Sequence, residues 1–366
     1  MTKAKLITQT LGLMLLPACL YASEVEVYGV IDTGIAVSRV DGQTRVYQET
    51  GFMRPSRFGF KGREDLGNGR AVSFILEQGF ESNSGAASQG DKYAFGREAN
   101  LNYENDFGKF GLGRIGNFMS GMGSWDPWGP NSGPFATGWG IAASSSTMSD
   151  YLRMNNTFAW KSPKLNGWQL MAQYSLDVLG TDAATFADNT RYLSGGVTYM
   201  EKGLNFLVLA GWRMNPTVGG KGYEDGQTYG VAVNKQFSGF KPYLALQYAK
   251  NSLSVGKKPL AVFKAVEATG ADTKGIDGLA VVTGSDINLF GGAFKLAVQY
   301  FHGRNKGAEN REKLRRLIFS VGQEYLLSKR TALYGGVNWG KSTKKVLNSE
   351  DNVRALEFFS GIKHSF

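Results

Sequence analysis

Two stretches of this sequence have the spacing of phosphate-binding loops. Residues 335–342, GGVNWGKS, fit G-x-x-x-x-G-K-[ST], in which backbone amides cradle phosphates and the lysine neutralises them. Residues 111–116, GLGRIG, fit G-x-G-x-x-G, which needs a helix immediately after it to hold a pyrophosphate. Neither has that context. Leu333, Gly335, Val337 and Trp339 alternate as in a strand, no apolar-periodic helix follows Ser342, and 117–130 is rich in Gly, Pro and Trp. In a chain with 49 glycines, chance matches to both patterns are expected. Other chemistry is sparse. The only histidines, His302 and His364, belong to separate predicted strands, so a His-rich metal site is excluded and a Ser-His nucleophile would have to use one of these two. No catalytic residue, metal or cofactor is assigned.

What remains is charge placed by periodicity. Arg57, Lys61 and Arg63 share one parity in a segment whose other face carries Phe58 and Phe60. Arg153 alternates with Leu152 and Met154 and shares its face with Asn155 and Thr157. Between these cations lies a connection at 117–150 with no secondary-structure pattern, a length that signals disorder or function. Disorder fits poorly, because Phe118, Met119, Trp125, Trp128, Phe135, Trp139 and Ile141 need a surface to pack against. The segment has no Lys or Arg and only two carboxylates, Asp126 and Asp150. A loop of this kind can fold inward and present acid to a basic wall.

The elements that would hold such a wall are strands. Apolar residues recur at every second position, as in Val72, Phe74, Leu76; Trp168, Leu170, Ala172, Tyr174; and Phe294, Leu296, Val298, Tyr300, with Ser73, Glu77, Gln169, Gln173, Lys295 and Gln299 between them. About sixteen such segments fill the chain from Ser23 to Phe366. Tight turns are expected at 67–69, 106–108, 163–167, 202–203, 238–239, 291–292 and 328–329. Long polar connections are expected near 39–53, 81–92, 117–150, 178–190, 215–224, 251–277, 303–311 and 342–352. Alternation of short with long puts all tight turns at one rim, as a membrane barrel requires and a soluble sandwich does not. The expectation is an all-β, 16-stranded antiparallel transmembrane β-barrel over 23–366, a size that usually encloses a pore, with charge inside it functional.

Composition agrees. Aromatics make up 13% of 366 residues and Pro only 9 positions, which suits interfacial girdles and unbroken strands, and no linker or charge block divides the chain. Residues 1–22 read as a signal peptide: Lys3 and Lys5, an apolar core, and Ala22 before the polar Ser23-Glu24. Cleavage there would remove Cys19, the sole cysteine. Leu16-Pro17-Ala18-Cys19 also has the shape of a lipoprotein signal, although Pro before the small residue is atypical and a barrel needs no lipid anchor. A formal charge of +10 is compatible with nucleic acid, anionic membrane or anionic solutes, and its distribution matters more than its size.

Several of these segments resemble the trimeric general porins of Gram-negative outer membranes, most of all the β-proteobacterial and neisserial type. The matching pieces are Val27-Tyr28-Gly29-Val30-Ile31-Asp32, Ser56-Arg57-Phe58-Gly59-Phe60-Lys61-Gly62, Glu64-Asp65-Leu66-Gly67-Asn68-Gly69, Leu76-Glu77-Gln78-Gly79-Phe80, Phe95-Gly96-Arg97, Leu112-Gly113-Arg114 and Gly361-Ile362-Lys363-His364-Ser365-Phe366. The resemblance implies a homotrimer and a third loop, 117–150, folded into the lumen opposite an arginine ladder. That ladder maps to Arg57, Arg97 and Arg153, with Arg114 nearby and Lys61 on the same wall. Arg97 conflicts with simple alternation, since it shares parity with Ala99, Leu101 and Tyr103. The loop has Gly133-Pro134-Phe135-Ala136 in place of the family's acidic Pro-Glu-Phe-Gly, leaving Asp126 as its carboxylate. Phe366 resembles the signal read by the barrel-assembly machinery.

The implied function is a non-enzymatic outer-membrane diffusion pore for small hydrophilic solutes, anionic or neutral, with anions favoured. It would sit among outer-membrane lipid and lipopolysaccharide and have no nucleic-acid partner. Two other classes are an adhesin or receptor using long loops, above all 251–277, and a barrel hydrolase, which two histidines make hard to build.

Overall fold

The structure, a computed structural model, describes residues 24–89, 92–121, 123–136, 138–149, 152–216, 222, 224–256, 266–267, 274–307, 312–346 and 349–366. The expected signal peptide at 1–22, Asp150, and parts of the connections at 81–92, 215–224, 251–277, 303–311 and 342–352 lie outside the described residues.

Sixteen strands form one closed antiparallel barrel. In chain order they are β1 (Glu24–Val40), β2 (Gln43–Thr50 resuming as Arg57–Gly67), β3 (Arg70–Gly79), β4 (Glu98–Asn105), β5 (Gly108–Gly116), β6 (Arg153–Lys161), β7 (Trp168–Ser175) and β8 (Arg191–Glu201). The second half is β9 (Leu204–Met214), β10 (Gly226–Lys235), β11 (Phe240–Ser252), β12 (Ile276–Leu289), β13 (Gly292–Asn305), β14 (Glu312–Leu326), β15 (Thr331–Val346) and β16 (Ser349–Ser365). Each pairs with its neighbours in the chain, and β1 closes on β16 from Val30 opposite Ser365 to Val40 opposite Ala355. The seam continues one residue further, where Gly29 and Phe366 exchange backbone hydrogen bonds of 3.1 Å. A Cβ at Gly29 would collide with the Phe366 ring, so only glycine leaves that ring its seat. Closure leaves no open sheet edge to face hydrocarbon.

Side chains sort as the alternation predicts. Leu101, Leu112, Phe158, Leu170, Val208 and Leu296 are exposed on the outer wall. Aromatics gather at its two margins: Phe107, Trp168, Phe240, Phe290 and Tyr325 toward the tight turns, and Trp212, Tyr229, Tyr248 and Tyr300 toward the other end. Two such girdles bracket the apolar band of a transmembrane barrel. Both glycine motifs are strand, 111–116 within β5 and 335–342 within β15.

The expected tight turns are present between the strands they were assigned to. Two connections expected to be long are not. At 39–53, Asp41 and Gly42 both take positive φ, 47° and 89°, and make a two-residue hairpin from which the first half of β2 pairs with β1. At 342–352, β15 and β16 stay paired as far as Val346 opposite Ser349. Polar sequence hid both extensions, because above the lipid the strands need only backbone pairing and no apolar face.

Candidate functional site

The connection from β5 to β6 enters the lumen. It is built of three single 3-10 turns, Gly129–Asn131, Gly140–Ala142 and Ser144–Ser146, and most of its side chains are buried against the inner wall of β9 to β16. Trp128 lies over Gly230 of β10, Pro134 over Gly284 of β12, and Trp139 over Gly322 of β14; a Cβ at any of these glycines would stand within 3 Å of the loop ring above it. Small wall residues thus make a bed for large loop residues. Polar wall side chains then satisfy the loop's backbone. Asn338 donates to Trp139 O at 2.9 Å, Arg316 to Ser146 O at 2.6 Å, and Ser149 N donates to Gln247 Oε1 at 2.7 Å. Gln299 donates to Ala142 O, and Glu357, itself held by Asn338 at 2.8 Å, accepts from Ile141 N at 3.3 Å. A loop lacking regular structure is therefore fixed by the barrel. Buried backbone groups left without such partners would each cost about 1–3 kcal/mol.

Opposite the loop stands the wall of β2 to β6, and a cavity of about 1070 Å³ separates the two. Arg57, Lys61, Arg97, Arg114, Asp126 and Arg153 all line it. Arg97 reaches it because it precedes β4, on a bend outside the strand's alternation, so its parity with Leu101 no longer dictates its direction. Arg114 would share the outward face of Leu112, but Gly113 has φ 129° and the β5–β6 register shifts between Gly113 and Ile115. That bulge turns Arg114 inward, where it donates to Gly96 O at 2.9 Å and Asn155 Oδ1 at 2.5 Å and stacks 4.3 Å from the Tyr93 ring.

The carboxylate at the centre of this wall comes from β3. Glu77 takes Arg97 Nε at 2.5 Å, Arg57 Nε at 3.2 Å and the Tyr28 hydroxyl at 3.1 Å. Asp126 is occupied within the loop, accepting from the Trp128 and Gly129 amides at 2.9 and 3.0 Å. Glu98 holds the loop's entry, accepting from Ser124 N and Oγ at 3.0 Å. Lys61 sits lower on the wall, 3.0 Å from Glu26. Arg114 and Arg153 have no carboxylate within ion-pair distance among the described residues. Glu77 was legible as a wet-face residue, but its partners depend on the β2–β3 register, which only the fold supplies. His302 lies on the outer wall opposite Arg315, and His364 contacts Thr331 near the tight-turn rim, so neither faces the cavity.

A closed barrel with an apolar outer wall around a charge-lined cavity has the architecture of a membrane channel. The sequence matches the Gram-negative porin family over residues 10–345. An outer membrane porin protein of Bordetella pertussis is 30% identical, covering 94% of both chains, and outer membrane porin protein 32 of Delftia acidovorans is 27% identical, covering 89% of this chain and 86% of that one. Among solved structures, the anion-selective porin from Comamonas acidovorans superimposes with a TM-score of 0.69 at 22% identity, over 94% of this chain and 100% of its own. The chain belongs to the Gram-negative porin family. It is an outer-membrane diffusion pore and not an enzyme.

Proposed function

We propose that this pore favours anions among small hydrophilic solutes and that selection occurs between the 117–150 loop and Arg57, Arg97, Arg114 and Arg153. One observation carries the reading: Arg114 and Arg153 face the cavity without a carboxylate partner, while the acids around them are already engaged by Arg57, Arg97, Ser124 or loop amides. The similar Comamonas protein is described as anion-selective, which supports the same sign. Purified protein in a planar bilayer under a KCl gradient should show stepwise conductance and a reversal potential displaced toward chloride. A cation-side potential would overturn the selectivity.

The proposal extends to assembly. Residues 1–22 direct export as a signal peptide, 23–366 form the barrel domain, and the mature protein is a homotrimer, as one similar solved porin is in its trimer form. The chain sits in outer-membrane lipid and lipopolysaccharide after insertion by the barrel-assembly machinery, which reads Phe366. Phe366→Asp should lower surface-exposed, heat-modifiable protein by about tenfold or more while export continues, because a charge beside Gly29 opposes closure of the seam in lipid. Normal surface levels would count against that role.

A further inference from the structure

Between its two halves β2 is interrupted by residues 51–56, which leave the sheet and line the lumen. A buried carboxylate holds this segment at its base. Asp32 of β1 accepts from Met53 N at 3.1 Å and Arg54 N at 2.7 Å, and its other oxygen accepts from the Tyr334 hydroxyl at 2.6 Å. Ser56 ties the return to the strand, its hydroxyl donating to Asp32 O and accepting from Asp32 N, both at 3.0 Å. The far side of the segment meets the tip of the 117–150 loop. Phe52 O accepts from Trp139 N, Phe52 stacks on Phe359 with ring centres 5.1 Å apart, and a Cβ at Gly138 would collide with the Met53 carbonyl. The segment thus joins the loop to the arginine wall, and the backbone beside Arg54 is fixed from both sides.

The Arg54 side chain takes no part in that joint. It is exposed, lines the cavity, and forms no ion pair among the described residues. Glu49 and Glu81 line the same mouth, and neither is within ion-pair distance of Arg54. Residues 51–56 run from Thr50, opposite Thr33, to Arg57, opposite Val30, so Arg54 stands on the long-loop side of Arg57. We infer that Arg54 is a further selectivity residue, which draws small anions to the mouth of the narrowing before they reach Arg57, Arg97, Arg114 and Arg153. A cation without a carboxylate partner, set between low-dielectric walls, raises the local concentration of anions. The loop beside it carries no Lys or Arg, so Arg54 brings positive charge to the point where loop and wall meet. The inference deepens the proposed anion preference and rests on it.

Purified channels would be recorded in a planar bilayer under KCl gradients, comparing wild type with Arg54→Gln, Arg54→Lys and Arg39→Gln. Arg39 is an exposed cation of β1 that does not line the cavity. Arg54→Gln keeps the backbone amide that Asp32 holds, so the joint stays intact. It should lower the chloride-to-potassium permeability ratio about twofold at ~0.1 M salt, where the Debye length is about 10 Å, and hardly at all at ~1 M, where it is about 3 Å. Arg54→Lys and Arg39→Gln should match wild type. The sole native cysteine, Cys19, lies in the proposed signal peptide, so Arg54→Cys supplies a single thiol to the mature barrel. Methanethiosulfonate reagents bearing ethylammonium or ethylsulfonate attach groups of similar size and opposite charge. The ammonium adduct should restore the wild-type ratio, and the sulfonate adduct should push it below that of Arg54→Gln. Equal ratios in Arg54→Gln and an anion-selective wild type would overturn the inference. So would identical shifts from both adducts, which would make residue 54 a structural part of the joint. A cation-selective wild type whose ratio still moves in opposite directions with the two adducts would overturn the anion preference alone.

Discussion

Replacing Arg57 and Arg153 together with glutamate should move the reversal potential in a KCl gradient from the chloride side to the potassium side. Each exchange turns a cation into an anion, and both positions line the cavity. The consequence differs at the two sites. Arg57 is tied to Glu77 at 3.2 Å, so its replacement also releases Glu77 from one partner and sets two carboxylates near each other. Arg153 has no such partner, so its replacement acts mainly by reversing a field already felt by passing ions. Field lines concentrate in a narrow channel with low-dielectric walls, and side chains there should outweigh surface charge. The effect should grow at ~0.01 M salt, where the Debye length is about 30 Å, and shrink toward ~1 M, where it is about 3 Å. Arg57→Gln/Arg153→Gln should move the potential part of the way without introducing acids. As a control, Arg304→Gln/Lys313→Gln removes two cations from the outer wall and should leave selectivity nearly unchanged. Wild-type selectivity in the glutamate variant at low salt, with a change in the outer-wall control, would mean that the selecting residues lie elsewhere.

The parts of this architecture that repeat were readable from sequence, and the parts that break the repeat were not. A two-residue period fixes which side chains meet lipid, as it did for Leu170 and Leu296, and turn chemistry fixes where strands reverse, as at Asn68 between Gly67 and Gly69. Selectivity residues sit where the period fails. Arg97 precedes its strand, and Arg114 is turned by the positive φ of Gly113 and a register shift. A glycine in a strand announces that something is unusual but not which way the next side chain turns. The loop's bed was also unreadable in detail, because Gly230, Gly284 and Gly322 are far apart in sequence and become one surface only when β10 to β14 are side by side. Its polar anchors, Gln247, Gln299, Asn338 and Glu357, looked like ordinary wet-face residues for the same reason.

Excising residues 122–146 should widen the pore and leave the barrel standing. The deletion removes Trp128, Phe135 and Trp139, which fill the lumen against β9 to β16, and Trp125, which packs over Asn102 and Gly111 of β4 and β5, and with them one side of the 1070 Å³ cavity. The barrel's own cohesion lies in strand-to-strand hydrogen bonds that run unbroken from β1 to β16 and back to β1, and none of these uses a residue of the excised segment. Wall residues now covered, such as Leu207, Leu209 and Val282, would meet water, and Gln299, Asn338 and Arg316 would exchange loop partners for solvent. Burial and hydrogen bonding are therefore lost, and thermal stability should fall while the detergent-solubilised protein keeps its strand content by circular dichroism. Single-channel conductance should rise by about twofold or more, since a sixteen-stranded barrel with nothing folded into it encloses an open aqueous channel. Selectivity should weaken in the same variant, because Arg57, Arg97, Arg114 and Arg153 would act across a wider, better-screened path. Unchanged conductance in a folded variant would place the loop outside the conducting path and end the constriction reading. Loss of strand content would instead show that the loop's bed on Gly230, Gly284 and Gly322 is needed for the wall to form.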